Sequence, residues 1–589
     1  MKNLLYNFKK WAPAVILLWI SGASCTKLNV KTYSVLPADD FWSNPANIPS
    51  GMLAPYTALG NVIANNGIGN VMSISSDEKV FPTRGTDWYD GGQWARMYYH
   101  QNQASDVDGV VESCWKGALS GISKANYVIL TLQGLPPGTD PNLAADVAEM
   151  QALRSFFYYK AMVMFGDFPY VNYAVDPTKV TQTKMKDIFD SLETTLKADI
   201  PNLKPVSDAS TYGKMNRYAA FALLARMYLN AKYYTGTDRS ADCIAMCDSI
   251  INASTNGGPT FKLEDDYFDV FAGVNNNSKE NIFVVAASQN GLTYNNGLVQ
   301  TSIEFNSSLT FGIPCCNYGN NGASSTRDYY QYFDTTSVYS SNSVQINGRT
   351  VNNVLRTFND QRTGQYLIGQ QFQGDGVTNY PPYKNWIVAN DDVCCTYDGN
   401  SSTQTTTKIG DNYNSLKSPV IYYDTMNEFT FGTAPAYFRH AGVRNIKYWP
   451  QPGLPPGNRM GNAVVVFRLA DVYLMRGEAY FWANDLGNAV KDFNVVRERA
   501  YSGSSAHDWT TADLTPDNIL AERARELAWE DVRRIDQIRM QVYTGVPYFT
   551  RARNYPPKPA DPADNHTFLL PVPTVEINTN PNLKQNPGY

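Results

Sequence analysis

The run Phe467-Arg468-Leu469-Ala470-Asp471-Val472-Tyr473-Leu474-Met475-Arg476-Gly477-Glu478-Ala479-Tyr480, followed by Ala489 and Phe493, decides the fold class. Its apolar residues recur every three or four positions, the mark of an amphipathic helix. Tyr473, Gly477 and Tyr480, then Ala489 and Phe493, stand at the offsets of the small and large positions in a tetratricopeptide repeat. Gly477 and Ala489 let two helices approach, while Tyr480 and Phe493 fill the groove beside them. A weaker copy has Ala225 and Tyr228, then Ala241 and Ala245, with about four residues inserted at the turn. Two copies predict a helical-repeat scaffold.

Helical periodicity extends outward from that run. It covers about Val107 to Phe165, where Gly166-Asp167 and Pro169 stop it. A second pair spans Arg217 to about Ile251, a third Phe467 to Tyr501, and a further helix runs from Asp517 to Met540. Trp42, Trp115, Trp482 and Trp529 lie in helix-patterned or neighbouring segments and are predicted to be core. From Gly257 to Pro455 the chain is dense in Asn, Gly, Ser, Thr and Tyr, which reads as long loops and short strands. Loops of that length are usually functional surfaces.

Composition narrows the function. The 589 residues are 43% hydrophobic and 17% charged, with a net charge of −5. A phosphate-binding surface needs clustered Lys and Arg, so nucleic acid is not an expected partner. No stretch approaches the roughly 18 consecutive apolar residues of a membrane-spanning helix. Aromatic side chains make up 13%, more ring surface than a core of this size needs, so some rings should face water or ligand.

The first residues read as an address. Lys2, Lys9 and Lys10 precede the apolar run Trp11 to Ile20, then Ser21-Gly22-Ala23-Ser24 and Cys25. That is a secretory signal peptide over residues 1–24. A Cys directly after the small residues resembles a bacterial lipobox, although Gly22 stands where an apolar residue is usual. Lipidation at Cys25 would anchor a soluble body to a membrane surface. Seven other cysteines remain, an odd number that cannot pair fully within one chain. Cys243 and Cys247 are four apart on a helix-like stretch and read as core. Cys315-Cys316 and Cys394-Cys395 either bridge to each other or close as vicinal disulfides. The four His have no spacing with a Cys pair, so no metal or cofactor is expected.

Several segments resemble, in order, the SusD/RagB family of Bacteroidetes lipoproteins: Leu36-Pro37-Ala38-Asp39-Asp40-Phe41-Trp42, Ala152-Leu153-Arg154 through Phe165-Gly166-Asp167-Phe168-Pro169-Tyr170, Phe467 to Met475, and Ile519 to Asp536. The C-terminus adds Leu569-Leu570-Pro571-Val572-Pro573, Glu576-Ile577-Asn578 and Asn580-Pro581-Asn582-Leu583 through Gln585-Asn586-Pro587-Gly588-Tyr589. Two positions depart from the family pattern: Asp531 stands for a usual Gly and Ile535 for a usual Trp. The resemblance implies a mostly α-helical protein built on tetratricopeptide-like pairs, with the loop-rich, short-strand middle packed on them, as one SusD-like domain over 25–589. Its helical-repeat scaffold would cover about 107–256 and 462–545, with ligand-facing irregular regions at about 75–100 and 257–460. It also implies non-enzymatic capture of an oligosaccharide at the outer-membrane surface, for delivery to a SusC-like TonB-dependent transporter. Two other readings stand beside it: a RagB-like peptide-binding uptake protein, and a helical-repeat protein that serves only protein assembly.

A sugar ring has apolar C–H faces and equatorial hydroxyls, so its binder needs exposed aromatic faces flanked by polar side chains. The strongest cluster is Asp77-Glu78, then Arg84-Gly85-Thr86-Asp87-Trp88-Tyr89-Asp90-Gly91-Gly92-Gln93-Trp94, with the glycines of a loop. Trp88, Tyr89, Asp87 and Arg84 are its candidate ligand residues, and Trp94 reads as structural. The resemblance places a second loop, Pro314 to Asn321, opposite the first, with Tyr318 and Asn317 as candidates. A third set is Tyr383 and Trp386 with Arg362 upstream, where Arg362 either donates to hydroxyls or sits in a structural ion pair. Carboxylate pairs at Asp39-Asp40, Asp77-Glu78 and Asp391-Asp392 do not by themselves make an acid/base site. No G-x-S-x-G, H-E-x-x-H or phosphate-binding loop is present, and no enzyme activity is expected.

Overall fold

The computed structural model describes residues 38–63, 67–84, 87–105, 109–171, 179–287, 301–302, 320–334, 336–346, 349–367, 369–370, 386–388, 421–422, 442–448, 461–544 and 564–589. The signal segment with Cys25, and also Asn317, Tyr318, Tyr383 and both adjacent Cys pairs, lie outside these residues. The fold is mostly α-helical, as the family resemblance implies.

Short helices precede the long ones, among them α1 (Ile68–Ile74) and α2 (Gln93–Tyr98). Helix α3 (Val110–Gly134) buries Cys114, Trp115, Ala118, Ile122, Ile129 and Leu132 at helical spacing, and its other face meets water. That stripe packs on α4 (Leu143–Phe165), which lies between α3 and α5 (Met185–Asp199). From Ala152 to Phe165 every side chain of α4 is buried, Arg154 and Lys160 included, because neighbours pack on it from both sides. Helices α6 (Arg217–Leu229), α7 (Ser240–Ile251), α8 (Leu469–Trp482) and α9 (Leu486–Ala500) continue the stack, each packed on the next.

The α8/α9 pair shows the predicted repeat contact directly. A Cβ on Gly477 would lie 3.1 Å from the Phe493 ring, so the absent side chain is what admits that ring. The weaker copy needs a correction: Ala241 and Ala245 are exposed, and α7 packs inward through Cys243 and Cys247. The packing face lies two positions along because sulfur-bearing side chains, small and apolar, fill the groove where alanine was expected. Trp482 is likewise 44% exposed, whereas Trp42, Trp115 and Trp529 are core. It ends α8, where its indole donates to Glu478 Oε1 at 3.1 Å.

The helix expected from Asp517 to Met540 is two, α10 (Pro516–Leu527) and α11 (Arg533–Arg539). Between them Trp529 (φ 61°) and Asp531 (φ 63°) are left-handed. Tertiary bonds hold that break. Glu78 accepts from Trp529 N at 2.9 Å, the Trp529 indole donates to Ser325 Oγ at 3.0 Å, and Arg533 grips Asp77 at 2.6 and 2.7 Å. Left-handed Asp531 explains why Gly is usual there.

The irregular middle joins the helices through β1 (Asn281–Val285), which pairs antiparallel with β5 (Val464–Arg468), the strand that runs straight into α8. A long hairpin, β2 (Ser337–Ile346) and β3 (Arg349–Phe358), adds β4 (Trp386–Val388) at its edge. A buried ion network fixes this region to the scaffold. Arg468 reaches Glu280 (2.8 Å), Glu526 (2.6 Å) and Glu530 (2.8 Å), and Arg499 reaches Glu280 and Glu526. Burial alone would raise the Glu526 carboxyl, but Arg499, Arg468 and Arg362 outweigh it and hold it down at about 2. The C-terminal strap closes on the end of α4: Leu570 N donates to Met164 O, and the Asn586 side chain donates to Phe165 O and Leu570 O.

A strained aromatic platform

Residues 88–92 are a tight run in which Trp88 (φ 63°), Asp90 (φ 42°), Gly91 (φ 64°) and Gly92 (φ 84°) all have positive φ. Glycine adopts that region freely, but Trp and Asp do not, and such strain persists only where the surroundings fix it. The fixing groups are visible. The Trp88 indole donates to Asn320 O at 2.7 Å and its ring lies 5.0 Å from Phe81. Phe81 in turn stacks on Trp94 at 4.8 Å and 21°. The Trp94 indole donates to Asp90 Oδ2 at 2.7 Å, which closes the turn. Trp94 is buried, as expected of a structural residue.

The other wall comes from Asn320 to Ser325, some 240 positions away in sequence. Val80 and Ser324 exchange both backbone bonds at 2.9 Å. Gly322 faces the Trp88 indole so closely that a Cβ there would sit 2.6 Å from the ring. Arg444 holds the same segment, donating to Asn321 Oδ1 at 2.8 Å and Ala323 O at 3.2 Å. On this base Trp88 and Asp87 are half-buried, Asp90 is exposed, and Tyr89 is 49% exposed.

Four of the expected ligand residues thus divide. Trp88, Tyr89 and Asp87 belong to one outward platform. Arg84 does not: it is fully buried, donating to Gly322 O at 3.0 Å and Ser324 Oγ at 2.5 Å. It clamps the two walls together because a planar guanidinium can satisfy several acceptors in one plane. Of the two readings open for Arg362, hydroxyl donor or structural ion pair, the structure shows the ion pair. It is buried with Asp360 (2.8 Å), Glu522 (2.7 Å) and Glu526 (3.1 Å). Trp386 lies in β4, paired with Arg356. Sequence reasoning missed Phe81 and Gly322 as platform residues; the Asn320-Asn321-Gly322 turn was the signal for the second.

Just before the platform in sequence, Glu78 and Lys79 join a buried polar group with Asn70, Lys160 and Asp531. Lys79 Nζ donates to Asn70 Oδ1 at 2.9 Å and sits 4.2 Å above the Trp529 ring. Burial pushes the Glu78 carboxyl up to about 7, against the pull of Lys79, and pulls Lys160 down to about 8. The Asp77-Glu78 pair is therefore internal and does not face solvent.

Comparison with known proteins agrees with this architecture. A model described as the SusD family matches residues 279–589, and one described as starch-binding associating with outer membrane matches residues 57–229. The starch-binding protein SusD of Bacteroides thetaiotaomicron is 22% identical over 487 residues, covering 80% of this chain and 76% of that protein. SusD-like protein P2 of Formosa agariphila is 22% identical over 602 residues, covering 99% and 100%. Among solved structures, surface glycan-binding protein A of Bacteroides thetaiotaomicron in complex with laminarihexaose superposes with a TM-score of 0.62. It is 19% identical, with 92% of this chain and 99% of that chain covered. A SusD superfamily protein of Parabacteroides distasonis gives a TM-score of 0.63 at 17% identity, covering 92% and 99%.

Proposed function

The chain belongs to the SusD family, and on that premise we propose that it is a non-enzymatic surface glycan-binding protein. It captures an oligosaccharide on the Trp88–Asp90 platform and passes it to a SusC-like TonB-dependent transporter. Lipidated Cys25 holds it at the outer membrane. The observation that carries the reading is the platform itself. Trp88 packs on a buried Phe81–Trp94 stack, and the half-exposed Tyr89 ring follows it in the same turn, flanked in sequence by Asp87 and Asp90. An exposed ring offers a face to sugar C–H groups, and adjacent carboxylates accept from hydroxyls. A rigid base lowers the ordering cost of binding. The laminarihexaose complex of a structural neighbour supports a glycan ligand.

The buried Asp77–Glu78 pair supports the reading of binding without chemistry. Asp77 is paired with Arg533 and Glu78 is buried on Trp529 N, so neither is placed to move a proton on a bound sugar. The test is retarded migration and calorimetry of the full chain against polysaccharides and peptides, with Trp88→Ala and Tyr89→Ala alongside. Glycan binding that falls in both variants is expected. Peptide binding without glycan binding would replace the ligand class, and glycan binding untouched by either variant would move the site off the platform.

A further inference from the structure

Where the segment 261–265 meets the α8/α9 pair, an open cavity of about 570 Å³ remains that shares no residue with the platform. Phe261, Leu263, Leu469, Tyr473 and Val495 give it an apolar floor, and Val495 is 37% exposed. The hydrogen-bonding groups at its rim are spent within the protein. The Gln361 side chain accepts from Tyr267 N at 3.0 Å and donates to Ser502 Oγ at 2.9 Å, and Glu264 accepts from Ser278 Oγ and Lys279 N. The cations are placed likewise. Arg499 is buried on Glu280 and Glu526, and Lys262 pairs with Asp265 at 3.1 Å. Arg476, over the Tyr473 ring, holds Asp492 and Asp248, and Lys279 is exposed beside Glu264. Glu498 is different. It is exposed at the rim within hydrogen-bond reach of the Asp508 carboxyl, and neither group forms an ion pair among the described residues. Partial desolvation and then the like charge of Asp508 push the Glu498 carboxyl upward, the cost of two carboxylates side by side with no cation between them.

We infer that this cavity receives a Lys or Arg side chain of a partner polypeptide, its alkyl stem on the apolar floor and its charged head at Glu498 and Asp508. The site is separate from the proposed glycan platform and goes beyond that reading. Long basic side chains bury an apolar stem while their charge stays near water, which is the division this cavity offers. A cation relieves the repulsion between the two carboxylates, whose oxygens accept its N–H groups. A sugar fits poorly here. Its hydroxyls would leave water for aliphatic groups and for polar atoms that already have partners, and unpaired hydroxyls cost free energy. An acidic segment would add a third like charge.

The experiment titrates the full chain with the acetylated tripeptide amides Leu-Lys-Leu, Leu-Gln-Leu and Leu-Glu-Leu, by calorimetry and saturation-transfer NMR. Glu498→Gln removes the rim charge, Val495→Trp fills the cavity from its exposed wall, and Trp88→Ala alters only the platform. Thermal unfolding shows which variants are folded. The Lys tripeptide should bind one to one, about three- to fivefold tighter than the Gln tripeptide and about tenfold or more tighter than the Glu tripeptide at low salt. Glu498→Gln should erase most of the Lys-over-Gln preference, Val495→Trp should abolish binding of all three, and Trp88→Ala should leave it unchanged. Equal binding of the Lys and Glu tripeptides, no binding of the Lys tripeptide, or a preference that survives Glu498→Gln overturns the inference while the glycan reading stands. Lys tripeptide binding lost in Trp88→Ala would move it to the platform, and glycan retention lost in a folded Val495→Trp protein would give the cavity to glycan. Either result also overturns the inference.

Discussion

Gly322→Ala tests whether the platform is assembled across the two distant segments. The new Cβ would lie 2.6 Å from Cε2 and Cζ2 of Trp88 and 3.0 Å from Cδ2. Carbon atoms in contact sit about 3.5–4.0 Å apart, so the ring or the 320–325 strand must give by about 1 Å. The strand is pinned by the Val80–Ser324 bonds and by Arg84 and Arg444. Trp88 therefore moves, and the bond from its indole to Asn320 O goes with it. Overpacking of this kind costs about 1–3 kcal/mol, and the lost bond adds about 1 kcal/mol. Thermal unfolding should show that loss, Trp fluorescence should shift as the indole becomes wetter, and glycan affinity should fall about tenfold or more. Trp88→Phe in the same chain gives back room, so the double variant should recover at least 0.5 kcal/mol of coupling. A Gly322→Ala protein with unchanged midpoint, emission and affinity would refute the packing of Trp88 against Gly322.

The other predictions bear on separate layers of the molecule. Tyr89→Ala should lower glycan affinity about five- to tenfold, yet move stability by under about 0.5 kcal/mol because the ring is half exposed. Arg468→Met should destabilise by about 3–5 kcal/mol in denaturant unfolding, because it strands the buried carboxylates of Glu280, Glu526 and Glu530. Glu78 binds its proton up to about pH 7 when folded and only to its ordinary value when unfolded, so its contribution is present at low pH and is lost as pH rises through 7. Glu78→Gln should remove up to about 3 kcal/mol of that pH dependence, read as flatter midpoints between about pH 5 and 8. A variant whose midpoint falls with pH as steeply as the parent's would contradict that assignment.

What was legible in the sequence follows from the range of the forces involved. The Gly477–Phe493 contact was readable because both partners lie within one helical pair, where period and offset determine contact. The break at Ala528–Val532 was not. Periodicity continues from Ile519 to Met540, and only bonds to Glu78, Ser325 and Asp77 bend the chain there. Trp88, Tyr89 and Asp87 were singled out because two aromatics among carboxylates and glycines cannot form a plain apolar face, and the structure holds them in one turn. Arg84 was misplaced by the same local logic. A guanidinium beside an aromatic loop looks like a ligand contact until Gly322 and Ser324, far along the chain, supply its acceptors. The departure at Asp531 was visible, but its consequence was not. A carboxylate in a left-handed position normally given to Gly is tolerable here because Lys160 and Lys79 face it in the buried group, while burial still pushes its carboxyl upward.

These layers give the proposed binding face a rigid base. Trp88 and Asp90 in left-handed conformations cost of order 1–3 kcal/mol each, and an isolated loop would relax. Here relaxation is blocked in two directions: Arg84 and the Val80–Ser324 ladder fix the far wall, while Asp77–Arg533 and Glu78–Trp529 fix the near one to the bend between α10 and α11. That bend is itself held by Arg468, Arg499 and Lys447 on Glu526 and Glu530. Such buried pairs add little net stability over apolar residues of the same volume, yet breaking one is severe. Their effect is therefore geometric: they allow the helical scaffold only one arrangement against the loops that lie on it. On the proposed reading, a sugar that stacked on Tyr89 would meet a turn already in place, and little of the binding free energy would be spent on ordering the site.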